Sequence, residues 1–144
     1  MAIDRTVLAD TVHRAGKTLT QQRLIVIEAL ENGTLPMSAY ELRDKINSKG
    51  ENLNISTVYR GLDFWIRLGM IHKIESANRF IVCNDEHKHQ FHVIQHCIRC
   101  ESAEESCELA SQMNMQLSNQ FKAFENQVVE IQGMCTSCQL RATS

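Results

Sequence analysis

Residues 56–83 read STVYRGLDFWIRLGMIHKIESANRFIVC, and the fold turns on how that stretch divides. Val58, Leu62, Trp65 and Leu68 step by four and three residues, the spacing that lines one side of an α-helix. Ser56 or Thr57 supplies an N-cap oxygen, and Gly69 closes the helix. Beyond it, the residues on either side of the turn-forming Ser76-Ala77-Asn78 alternate briefly, which predicts a two-stranded hairpin from about 71 to 83.

Three more helices precede this one. Val7, Leu8, Val12 and Ala15 share a face from about Asp4 to Ala15, stopping near Gly16. In TQQRLIVIEALENG, Thr20 is the N-cap, Leu24, Ile27 and Leu30 recur at three-residue spacing, and Asn32-Gly33 is the stop. SAYELRDKINSKG opens with a capping box, Ser38 and Glu41, and puts Leu42 and Ile46 on one face before Gly50. The short link to residue 56 makes the third and fourth helices a helix-turn-helix, and the hairpin behind it a wing. On the C-terminal side, NDEHKHQ is polar and aperiodic and reads as a hinge. FHVIQHC then resumes as a strand, Leu109, Met113 and Leu117 take helical spacing, and ENQVVEIQGMC is a last strand. The fold class is α+β.

Bulk composition narrows the function. The 144 residues contain no run approaching the roughly 18 apolar residues of a membrane span, and the N-terminal stretch has no secretory signal pattern, so the chain reads as cytoplasmic. Net charge is −2, unevenly spread: residues 1–83 hold 11 Lys+Arg against 9 Asp+Glu (+2), and residues 84–144 hold 4 against 8 (−4). A mildly basic first half and an acidic, cysteine-rich second half suggest two modules with separate tasks.

Cys97, Cys100, Cys135 and Cys138 form two CxxC pairs. Cytoplasmic thiols stay reduced, so such pairs favour metal or redox chemistry over structural disulfides. A redox pair of thioredoxin type needs its CxxC at a helix start within a βαβ pattern, and neither pair fits that description. Tetrahedral zinc needs four thiolates, and each CxxC bend presents two. A module of some 60 residues has a small core, which gives such a staple a physical motive. Five of the six histidines (His72, His87, His89, His92 and His96) lie between residues 72 and 96, near Cys83, and histidine and thiolate are zinc's preferred ligands. Antiparallel pairing of the hairpin brings His72 towards Cys83.

With TVYRGL, LG, HK and two spaced CxxC pairs in place, nearly the whole chain resembles the ferric uptake regulator family, zinc-sensing type. The resemblance implies a homodimer with an N-terminal winged helix-turn-helix DNA-binding domain (1–83), a hinge (84–92) and a small α/β dimerisation and metal-binding domain (93–144). It also implies zinc as corepressor, two ions per monomer. One ion is structural, on Cys97, Cys100, Cys135 and Cys138. The other is regulatory, on His72, Cys83, a hinge histidine and Glu105, the histidine being His89 with His87 and His92 as alternatives. Tyr40 and Arg60 match the family's DNA-contact positions, and Thr57 and Tyr59 share the helix of Arg60. The implied function is a zinc-responsive repressor of zinc uptake and homeostasis genes, bound to double-stranded operator DNA. The rival readings are an iron, manganese or peroxide sensor of the same family and a zinc hydrolase, but HExxH is absent from the sequence.

Overall fold

Four helices and a hairpin follow one another through the first 83 residues: α1 (Arg5–Arg14), α2 (Gln21–Glu31), α3 (Ala39–Asn47), α4 (Ile55–Arg67), β1 (Ile71–Ile74) and β2 (Arg79–Val82). The computed structural model describes residues 3–83, 91–117, 119–120 and 127–142. The chain divides into two units, Met1–Cys83 and Asn84–Ser144. Each helix of the first unit starts where a short polar side chain takes an otherwise unpaired amide. Asp4 accepts from Thr6 N at 2.8 Å and Thr20 from Arg23 N at 3.3 Å. Ser38 and Glu41 close the capping box reciprocally. At α4 the N-cap is Asn54, not Ser56 or Thr57: its Oδ1 accepts from both the backbone N (2.8 Å) and the hydroxyl (2.9 Å) of Thr57. An asparagine oxygen two residues earlier outcompetes the hydroxyls, which are thereby placed inside the first turn.

The apolar stripes meet in one core: Leu8 and Val12, Leu24, Ile27 and Leu30, Leu42 and Ile46, then Val58, Leu62 and Trp65. Val7 lies outside it, exposed. Val26, off the expected stripe, is fully buried because α2 is covered on a second side by α4. Gly61 permits that approach, since a Cβ there would stand 2.9 Å from Val26 Cγ2. Trp65 Nε1 donates to the Arg23 carbonyl at 2.8 Å, which ties α4 to α2 and satisfies the indole inside the core. The hairpin pairs Ile71 with Val82 and His72 with Ile81, and turns through Asn78 at φ 50°. A bridge from Met37 to Phe80 adds a third partner to the wing.

The second unit holds β3 (Phe91–Cys97), β4 (Ala103–Glu105), α5 (Cys107–Leu117), β5 (Gln127–Gly133) and α6 (Thr136–Ala142). The sheet order is β4-β3-β5, with β4 antiparallel and β5 parallel to β3. α5 is the crossover that a parallel pair requires, and it packs Leu109, Ala110, Met113 and Leu117 on Phe91, Val93 and Val129. β3 begins at Phe91, so Phe91 and His92 belong to the sheet although they fall within the stretch read as hinge. No helix among the described residues is long and apolar enough to cross a membrane.

The Asn54 cap yields a direct test. Asn54→Ala should lower unfolding free energy by about 1 kcal/mol, and Ser56→Ala by less than about 0.5 kcal/mol, in urea titrations. Equal losses at the two sites would contradict the assignment of the cap.

Candidate metal centre

The parallel register carries Cys97, the last residue of β3, opposite Gly133, the last residue of β5. Both CxxC segments therefore leave the same end of the sheet. Ile98 N donates to Gly133 O at 2.9 Å and fastens the first bend to the second. The four sulfurs of Cys97, Cys100, Cys135 and Cys138 lie within 4.8 Å of one another, with Cys97–Cys138 and Cys100–Cys135 both at 3.8 Å. Four thiolates about 2.3 Å from a tetrahedral zinc would stand about 3.8 Å apart, so the thiols already have the spacing the ion requires. Cys97 and Cys138 are buried.

The surroundings set the charge of these thiols. Backbone amides of Cys100 and Cys135 point at Cys97, the latter at 3.3 Å, and hold its thiol down to about 5. The Ser102 hydroxyl, 3.0 Å from Cys100, lowers that thiol too. Cys138 goes the other way, pushed up to about 12 by its contact with Cys135 and by burial. Glu101 turns the chain back at φ 66°, in the left-handed region, and brings Ser102 under the first bend.

Each unit also carries a histidine beside a second ligand type. In the wing, Cys83 N donates to Met70 O at 2.9 Å, and the ligand atoms of His72 and Cys83 lie within 4.8 Å. In the second unit, β4 pairs Glu105 with Ile94, and Glu105 Oε1 stands 2.7 Å from His92 Nδ1 with both side chains buried. A carboxylate accepts, so Nδ1 is the donor to Glu105 and Nε2 is the nitrogen left to face a metal. His87 and His89 lie outside the described residues; of the three hinge candidates, His92 is the one the structure places.

The remaining site residues are on α3 and α4. Tyr40 is 54% exposed and meets Tyr59 edge-on, ring centroids 6.4 Å apart, so Tyr59 packs against the start of α3. Arg60 is exposed, with Nη2 3.4 Å from Thr57 Oγ1. Two arginines that the motif reasoning missed stand close by. Arg43 lies 5.4 Å from the Tyr40 ring and pairs with Asp44, while Arg23 stacks 3.8 Å over Phe64. Arg23 and Arg60 share a cleft of about 220 Å³ with Thr20, Gln22, Thr57 and Gly61. A half-buried arginine on each of the helices α2 and α3 that pack against α4 is the signal that could have found them.

With this geometry in place the comparisons are decisive for the family. The model of the ferric uptake regulator family matches residues 14–131. The chain belongs to that family. It is 32% identical over 124 residues, 83% of this chain and 72% of the relative, to the zinc uptake regulation protein of Escherichia coli (strain K12). It is 25% identical over 139 residues, 89% of this chain and 90% of the relative, to the ferric uptake regulation protein of Synechococcus elongatus. Among solved structures, a zinc uptake regulator complexed with zinc and DNA matches with a TM-score of 0.80 at 26% identity, covering 96% of this chain and 95% of that one. The α+β architecture is thus that of the family.

The thiol environments predict how zinc binding couples to protons. Cys97, held at about 5, is already a thiolate at pH 7.5 and releases nothing, whereas Cys138, at about 12, must lose a proton before it can ligate. Affinity for zinc should therefore fall as pH falls, and calorimetry of the four-cysteine site at pH 7.5 in buffers of different ionisation enthalpy should show at least one but fewer than four protons released per ion. Release of all four would contradict an ionised Cys97.

Proposed function

We infer that this protein is a zinc-responsive transcriptional repressor, a homodimer that binds double-stranded operator DNA when zinc is loaded and so controls zinc uptake and homeostasis genes. The observation that carries the reading is the closeness of the His72 and Cys83 ligand atoms, within 4.8 Å, on the wing that follows the helix bearing Arg60. A thiolate with imidazole favours zinc over the oxygen and nitrogen sites that suit manganese or iron. The named relative from Escherichia coli and the zinc- and DNA-bound structure support the same sensor type over an iron, manganese or peroxide sensor.

The residues divide into two metal tasks. Cys97, Cys100, Cys135 and Cys138 would hold a structural zinc that ties the ends of β3 and β5. His72 and Cys83 offer two ligands from the first unit, and His92 and Glu105 offer two from the second, the complement of one tetrahedral ion. Of the three hinge candidates, His92 is favoured here because it stands beside Glu105. Zinc supplies the attraction that makes the two pairs act together. Loading of the regulatory ion would then make DNA affinity a function of free zinc. By linkage, DNA must raise affinity for the regulatory ion by the factor by which the ion raises affinity for DNA.

On the DNA side, Arg60 is suited to bidentate reading of guanine in the major groove, with Tyr40, Thr57 and Tyr59 placed around it to hold phosphates or base edges. Arg23 and Thr20 line the same cleft and add positive charge and a hydroxyl for the backbone. The activity is one of binding in the cytoplasm, and no reaction is assigned to it.

Cys83→Ser separates the two metal tasks. The variant should stay folded and dimeric, hold about one zinc fewer per monomer and bind operator DNA without response to free zinc. Metal analysis and DNA titration in zinc buffers check this, and undiminished zinc dependence would remove Cys83 from the regulatory set.

A further inference from the structure

The loop between β3 and β4 makes two contacts to the first CxxC pair through one residue. The hairpin register sets His96 opposite Ala103, so Ser102 follows as the partner of Cys97, and its carbonyl accepts from Cys97 N at 2.9 Å. Its hydroxyl lies 3.0 Å from Cys100 Sγ. Glu101 N donates to Cys97 O at 3.0 Å, and the left-handed turn at Glu101 is what returns Ser102 to this place. Cys100 is also the exposed member of the four, whereas Cys97 and Cys138 are buried. Any electrophile dissolved in water meets Cys100 first.

We propose that Ser102 is a positioning and protecting residue for the four-thiolate zinc site: its hydroxyl donates to the Cys100 thiolate and blunts the nucleophilicity of the most exposed of the four cysteines. This rests on the zinc reading of the four cysteines. A metal-bound sulfur has no proton to give, so the hydroxyl is the donor and sulfur the acceptor. Hydrogen bonding draws electron density from sulfur lone pairs, and the thiolate, not the thiol, is what electrophiles attack. Without that bond Cys100 is the weak point of the staple. Alkylation displays the step: Cys100 sulfur attacks the methylene carbon of iodoacetamide, iodide leaves, and the resulting thioether, a poor zinc ligand, lets the ion go.

The test uses the full zinc-loaded chain. Zinc release is followed with a metal dye, alkylation at Cys100 is followed by peptide mass mapping, and the sulfur-to-metal charge-transfer bands are recorded with cobalt(II) in place of zinc. Ser102→Ala should speed both alkylation of Cys100 and zinc release by roughly three- to tenfold and move the cobalt bands to lower energy. Ser102→Thr keeps a hydroxyl and should behave as wild type, while its isostere Ser102→Val should behave as the alanine variant. That pair carries the test should Ser102→Ala fail to fold. Identical rates and spectra for Thr and Val would overturn the proposal and leave Ser102 a loop residue only. A wild-type chain whose four cysteines take up no zinc would overturn the zinc reading and this inference with it.

Discussion

Everything in the second unit depends on closing one end of a parallel strand pair. β3 and β5 run side by side for seven residues, and their chain connection lies at the opposite end of the β5 strand, through α5. Among the described residues, the core between α5 and the sheet is formed chiefly by Phe91, Val93 and Ala110. A core of that size gives limited stability, and structural metal is the usual remedy in small modules. The four sulfurs gather where the two strands end, so a tetrahedral ion there would tie the two strands together. Preorganisation is uneven: Cys97 is held ionised by amides while Cys138 stays protonated.

The second ligand group follows a different logic. The proposed regulatory set takes two ligands from the wing, His72 and Cys83, and two from the sheet, His92 and Glu105. Such a division suits a sensor, because an ion that needs both halves must weight the arrangements in which both are available. A population shift of that kind requires differential affinity, about 10⁴-fold to move an equilibrium from 1:99 to 99:1. The direct His92–Glu105 hydrogen bond fixes which nitrogen is available, a step towards that affinity made within the second unit alone.

Much of this was legible in the sequence for physical reasons that can be named. The stripe Val58, Leu62 and Trp65, the capping box at Ser38 and the CxxC spacing are local signals, and each lies where pattern reasoning put it. What escaped was non-local or short. β4 has three residues with no apolar alternation and exists because β3 offers it an edge; α6 has seven residues and begins inside a CxxC. The α4 cap was misplaced because Ser56 and Thr57 compete with Asn54 on paper, and only the backbone at Asn54, at φ −86° and ψ 165°, decides between them. His89 lies outside the described residues, and the pairing of its alternative His92 with Glu105 depends on the β3–β4 ladder, which a polar stretch read alone does not reveal.

The central claim is that zinc, held partly by the wing, controls DNA binding. The most direct measurement is the affinity of the wild-type dimer for its operator across a buffered free-zinc series, with matched iron(II) and manganese(II) series and metal content determined at each point. The account predicts affinity that rises steeply as the second zinc per monomer is taken up, with the four-cysteine ion already in place and little response to iron or manganese. Affinity that follows iron or manganese, or that is unchanged between one and two zinc ions per monomer, would contradict it.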